Sequence, residues 1–180
     1  MRADAQRNRD KIIATARELI REKGLDATSM DEIAKRAGVG AGTLYRHFAT
    51  KEELYEGAVQ AWADQVNAAA DEAMGSGGTD RDRLLAWLRT YVGLLTVHKG
   101  AAARITASLG DEGSPFATKC HTYLNANERV LKALGTVRPT VDAMQVCRVV
   151  GGVAAVVDQS ELSSEAVEPL LGVVADGLLI

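Results

Sequence analysis

A chain of 180 residues, 47% hydrophobic and 25% charged, has ordinary globular composition, which excludes a disordered chain. Its 2 cysteines are too few for a disulfide scaffold and suit a reducing compartment, and no apolar run of about 18 residues is present to span a membrane. The net charge of -3 hides an asymmetry: residues 1–51 carry 11 Lys+Arg against 7 Asp+Glu, and residues 52–180 carry 10 against 17. A basic end on an acidic body points to a polyanionic partner, although short segments also scatter by a few charges. The opening MRADAQRNRDKI lacks the apolar core of a secretory leader, so a cytoplasmic location is expected.

Helical spacing runs through the chain. Ile12, Ala16, Leu19, Ile20 and Lys23 form a 3.6-residue stripe, with Gly24 as the stop. Ser29-Met30-Asp31-Glu32 reads as a capping box, which opens a second helix whose inner face is Ile33, Ala34 and Ala37. Gly38-Val39-Gly40 breaks it, and a third short helix follows, anchored by Leu44 and Phe48. Thr50-Lys51-Glu52-Glu53 is a second capping box and starts a long helix to about Ala73. After the loop Gly75–Thr79, Leu84, Trp87, Leu88, Tyr91 and Leu95 mark a fifth helix, and Ile105 and Leu109 a sixth. Ser114-Pro115 reads as N-cap and N1 of a seventh, with Phe116, Cys120, Tyr123, Leu124, Asn127, Leu131 and Leu134 in its stripe. Arg138-Pro139 is a break; Met144, Cys147, Gly151, Ala154 and Val157 line an eighth helix, and Val167, Leu170, Leu171, Val174 and Leu178 a ninth. The Val-rich run 149–157 has strand-like content, but the helical spacing around it argues against a strand. The expected fold is all-α with about nine helices.

Two helices of about eight residues joined by a Gly turn are what a helix-turn-helix requires. Gly38 suits the left-handed turn conformation, and Val39 fills the angle between the helices. The third helix then exposes Ala41, Gly42, Thr43, Tyr45, Arg46 and His47, a mix of small, aromatic and basic residues that can enter a major groove. A helical hairpin inside an ordinary all-α protein has the same pattern. The stretch from Thr28 to Leu54 closely resembles the DNA-binding signature of the tetracycline-repressor (TetR) family. The specific pieces are Ile33-Ala34, Ala37-Gly38-Val39, Gly42-Thr43-Leu44-Tyr45, His47-Phe48 and Lys51. The resemblance is sharp over residues 8–56 and only architectural beyond them.

The resemblance implies a homodimeric transcription factor, usually a repressor. A helix-turn-helix domain over 1–51 would bind a palindromic operator in double-stranded DNA. A helical domain over 52–180 would bind a small-molecule effector and dimerise. Carried over by position, Thr43 and its neighbours face bases, while Ser29, Tyr45, His47 and Lys51 contact phosphate. Arg46 has the fork that reads guanine and also the charge that grips phosphate. Gly40 and Ala41 stand where the family often has Ser and a basic residue, which removes two polar contacts; Ala41 can still touch a thymine methyl. Arg7 and Arg9, ahead of the first helix, are either further phosphate contacts or a solvated terminus.

In residues 52–180 two tasks compete for apolar surface. The small and β-branched faces of the last two helices, Gly151, Gly152, Ala154, Val157, Val167, Leu171 and Val174, suit a four-helix dimer interface or an internal core. Asn127, polar on an apolar stripe, is the cleanest pocket candidate, with Trp62, Trp87, Tyr91, Phe116, Tyr123 and Met144 as walls and Arg104 and Arg148 as carboxylate holders. Each has a core-packing or salt-bridge reading beside it. His98, Cys120, His121 and Cys147 raise zinc, but their spacing fits no ligand pattern, so no metal or cofactor is expected. No nucleophile elbow, phosphate loop or metalloprotease signature occurs. A ligand-independent architectural DNA-binding protein and a small helical enzyme are the alternatives.

Overall fold

The computed structural model describes residues 2–23, 27–97 and 99–180, so the expected stop at Gly24 and the candidate ligand His98 lie outside the described residues. Nine α-helices are present among them: α1 (Arg2–Lys23), α2 (Met30–Ala37), α3 (Ala41–His47), α4 (Lys51–Gly75), α5 (Asp80–Thr96), α6 (Ala101–Ala107), α7 (Ala117–Ala133), α8 (Ala143–Ser160) and α9 (Ser164–Leu178). Among the described residues the only β pairing is an isolated bridge, Val137 to Leu179. The all-α expectation holds.

Local chemistry sets most helix ends. The Ser29 hydroxyl accepts from the Glu32 amide at 3.2 Å, as expected, but the Glu32 carboxylate pairs with Lys23 instead of reaching back. At α4 the Glu53 amide donates to Thr50 Oγ1 at 3.1 Å, while the Glu53 carboxylate takes the Ala49 amide at 2.7 Å. Complete capping boxes form elsewhere, at Thr79 with Asp82 and at Asp142 with Gln145. Two expectations need correction. α1 starts at Arg2, so Arg7 and Arg9 are helical and do not precede the helix. Ser114 does not cap α7: its Oγ accepts from the Phe116 amide at 3.1 Å in a turn, and Phe116 itself is the N-cap.

The chain forms two compact units, residues 1–64 and 65–180, which part inside α4. Residue 51, the expected boundary, is the first residue of α4. The division falls later because Leu54 and Ala58 belong to the first unit's core, with Ile12, Ala16, Leu19, Ile33, Leu44 and Phe48. In the second unit α8 packs against α5, α6 and α7, and α9 packs against α5 and α8. The α6–α8 approach needs Gly151: a Cβ there would overlap Thr106 Oγ1 and meet Thr106 Cγ2 at 3.0 Å. Asp80 stitches the start of α5 to the end of α7, accepting from the Gly135 amide (2.7 Å), the Thr136 amide (3.0 Å) and Thr136 Oγ1 (2.9 Å).

Candidate nucleic-acid interface

Helices α2 and α3 meet through a turn that only glycine adopts without strain. Gly38 sits at φ +67 and caps α2 through its amide, while the Val39 amide returns to the Ala34 carbonyl at 3.0 Å. Val39 is half-buried against the core. Leu44 is 0% and Phe48 4% exposed, so α3 is pinned by two residues four apart. Ala41, Gly42, Tyr45 and Arg46 are consequently exposed, and Thr43 and His47 are half-exposed. Tyr45 is 47% exposed on a helix of only 7 residues, a large aromatic ring the core does not use. Phe48 also holds α4, because a Cβ at Gly57 would stand 2.9 Å from its ring. Ser29 is exposed at the α2 N-cap and Lys51 is half-buried at the start of α4.

The charges of this unit fall into two groups. Arg36 is held by both Glu22 oxygens, at 2.6 and 2.7 Å, which raises its pKa. Arg7 pairs with Asp4, and Arg9 lies over the Phe48 ring at 5.3 Å. These cations have structural partners, so Arg7 and Arg9 are engaged within the first unit. Arg46 instead meets two neutral oxygens of its own helix, Gly42 O and Thr43 Oγ1.

The arrangement is a helix-turn-helix with an exposed second helix. A TetR-family N-terminal model, "Bacterial regulatory proteins, tetR family", matches residues 12–58, and "Transcriptional regulator SbtR-like, C-terminal domain" matches residues 80–180, more than half the chain. The protein belongs to the TetR family of transcriptional regulators. An HTH-type transcriptional regulator of Staphylococcus aureus (strain USA300) is 50% identical over 54 residues, 30% of this chain and 29% of that relative's length. A TetR transcription regulatory protein from Mycobacterium vanbaalenii has a TM-score of 0.66 at 29% identity, covering 99% of both chains. A TetR transcriptional regulator from Streptomyces coelicolor also has a TM-score of 0.66 at 29% identity, covering 95% of this chain and 98% of the other. A Rhodococcus TetR-family structure shares the fold at TM-score 0.72 and 23% identity, over 97% of this chain. The family is one of regulators and not an enzyme class.

This TetR-family chain carries its pocket candidates in several places. Trp87 (0% exposed), Tyr91 (2%), Tyr123 (1%) and Asn127 (1%) are brought together and fully enclosed. Trp87 Nε1 donates to Asn127 Oδ1 at 2.8 Å, and Asn127 Nδ2 donates to the Tyr123 carbonyl at 3.0 Å and to Cys147 Sγ at 3.3 Å. Tyr91 stacks on Trp87 with centroids 5.3 Å apart and meets Tyr123 at 4.6 Å. Burial pushes the Tyr91 and Tyr123 hydroxyls and the Cys147 thiol up in pKa, so all three stay neutral. Arg104 and Arg148 are exposed, Arg104 lying 6.0 Å over the half-buried Phe116 ring, and Met144 is half-buried. Trp62 belongs to the first unit. A solvent-open groove of about 380 Å³ lies elsewhere, between Leu131, Leu134, Val137, Arg138, Pro139 and Val141.

Cys120 donates to the Ile105 carbonyl at 3.3 Å, and the exposed His121 meets Glu112 at 2.9 Å. Among the described residues, no three His, Cys, Asp or Glu side chains gather as a metal site. No helix among the described residues is long and apolar enough to cross a membrane.

The dimer candidates are divided by burial. Gly151, Ala154, Leu171 (0% exposed) and Val174 (9%) face into the second unit's core, Val157 and Val167 are half-buried, and Gly152 is exposed. The exposed apolar stripes run one position away: Val149 (49%), Gly152 and Val156 (50%) on α8, and Leu170 (37%), Val173 (74%) and Gly177 on α9. Both stripes follow the i, i+3, i+7 spacing of a single helix face.

Proposed function

We propose that this protein is a homodimeric, ligand-responsive repressor of transcription. It places α3 in the major groove of a palindromic operator and releases the DNA when a small molecule binds. The observation that carries the reading is α3 itself. Its apolar residues are spent on anchoring, and Thr43, Tyr45, Arg46 and His47 are left on the outside. Ala41 and Gly42 allow close approach to base edges, Arg46 and Thr43 lie toward the bases, and Ser29, Tyr45, His47 and Lys51 take phosphates.

Two α3 helices reach successive major grooves only if a dimer spaces them by about 34–36 Å. The outer stripes of α8 and α9 support that assembly. Apolar side chains on two adjacent helices, 37–74% exposed in one protomer, are covered when a second copy packs against them. The effector site is the Trp87–Tyr91–Tyr123–Asn127 cluster, which is closed around its own hydrogen bonds. A molecule entering it must replace Asn127 as acceptor for the indole N–H, which favours a largely apolar effector with one well-placed acceptor. Release then follows from tighter binding of the effector to the DNA-incompetent state. The two units part inside α4, so that helix is the covalent connection from the second unit toward α3.

The test is binding to duplexes selected from a random pool, followed by fluorescence anisotropy across a salt series. Affinity should be sequence-selective and fall with salt, and Lys51→Ala should weaken all duplexes alike and reduce the salt slope by about 1. Failure to bind any duplex at low salt refutes the reading.

A further inference from the structure

We propose that Arg46 and Thr43 form a single guanine-reading unit on α3. This rests on the DNA-binding reading above and assigns the specificity within it. A long side chain on a helix folds back over the residues three and four before it. For Arg46 these are Thr43 and Gly42. Arg46 Nε donates to the Gly42 carbonyl at 3.2 Å, and Nη2 donates to Thr43 Oγ1 at 3.0 Å. Both donors lie on one edge of the planar guanidinium. That edge is held by the helix.

The outer edge keeps its donors: both hydrogens of Nη1 and the second hydrogen of Nη2. Two parallel N–H groups at this spacing match O6 and N7 of guanine in the major groove. No carboxylate pairs with Arg46 among the described residues, whereas Glu22 fills the fork of Arg36. Its charge and its outer fork are therefore both presented outward from the exposed face of α3. The clamp also fixes the rotamer before binding, which spares the complex an ordering cost. Such a clamp matters for a bidentate base contact, which needs one orientation of the fork. A phosphate can take the same fork, and the two contacts differ in that only the base contact depends on sequence.

Thr43 is here a positioning residue. Its oxygen accepts from Arg46, and its own hydroxyl hydrogen stays available to a neighbouring acceptor.

The experiment uses the full chain and duplexes it selects from a random pool. The enriched motif should carry a guanine in each half-site that Arg46→Ala makes degenerate. Replacing that guanine by adenine should weaken the wild-type protein by about 5–150-fold and leave Arg46→Ala nearly unaffected. Substituting 7-deazaguanine, which lacks N7, should cost the wild-type protein a smaller factor at the same position. Thr43→Val should lose part of the discrimination at that guanine alone, and Arg46→Lys should not restore it, because an ammonium has no fork. The proposal is overturned if Arg46→Ala loses equally on selected and random duplexes with a salt slope lower by about 1, the signature of a phosphate contact. It is also overturned if 7-deazaguanine is without effect on the wild-type protein, an arm that requires no folded variant. A wild-type chain that binds no duplex overturns the DNA-binding reading and this one together, and one that binds without selecting a sequence overturns the operator-specific reading and this one. A selected motif indifferent to Arg46 overturns this one alone.

Discussion

Replacing Asn127 by Leu separates the two roles of the buried polar cluster. Leu has the same branched heavy-atom skeleton as Asn with bulkier ends, so it leaves no cavity beside Tyr91 and Tyr123. What is lost is the acceptor for Trp87 Nε1, now 2.8 Å away. Trp87 is 0% exposed, so water cannot replace it. An orphaned buried donor costs about 1–3 kcal/mol. The other two bonds matter less, because the Tyr123 carbonyl lies within α7 and a thiol sulfur is a weak acceptor. For a chain of this size the loss corresponds to a fall in Tm of roughly 2–12 °C. Urea denaturation followed by far-UV circular dichroism measures it at constant m-value. In the double variant Asn127→Leu with Trp87→Phe, the orphan disappears. The combined cost should therefore fall short of the sum of the single costs by about 0.5–3 kcal/mol. Operator affinity without effector should stay near the parent value, because α3 belongs to the first unit, and the response to effector should change. An Asn127→Leu protein within about 0.5 kcal/mol of the parent would refute the account, since that is the range of an inert substitution.

Two further outcomes test the second unit. Val173→Asp should leave the protomer folded and move the protein from dimer to monomer in analytical ultracentrifugation, because Val173 is 74% exposed in one protomer; Leu171→Asp should instead unfold it, because Leu171 is 0% exposed and a charge there is buried unpaired. A dimeric Val173→Asp protein at micromolar concentration rejects the outer-stripe interface. The Asp80 pKa lies below its ordinary 3.8, held down first by the Thr136 hydroxyl and then by the Gly135 amide and Arg83. A depressed carboxylate adds stability above its unfolded pKa and loses it as pH falls through the folded one. The stability gap between the wild-type protein and Asp80→Asn should therefore be constant from neutral pH down to about pH 5 and close below 3.8. A gap unchanged at the acid end in urea titrations contradicts the carboxylate's role.

The helix-turn-helix was legible in the residues because local rules dictate it. Ser29 has the short hydroxyl an N-cap needs, Gly38 accepts a positive φ, and Leu44 and Phe48 stand four apart, so the exposure of Thr43, Tyr45 and Arg46 follows from period alone. The inward and outward faces of α8 and α9 were not legible. Leu170 and Leu171, or Val173 and Val174, are equally apolar neighbours, and one faces the core only because α5 and α8 cover that side. For the same reason the small residues Gly151 and Ala154 belong to the packing of one protomer, where Thr106 occupies the space a Cβ would take. Asn127 stood out as a polar residue on an apolar stripe, but its partner Trp87 lies 40 positions away on another helix. Arg46 showed its fork in the sequence, whereas the edge it keeps free depends on its rotamer over Thr43 and Gly42. Sequence determined what one helix decides by itself: its period, its caps and its exposed chemistry. Tertiary structure decided which of two apolar faces is inside and which buried polar groups meet, because both depend on neighbours distant along the chain.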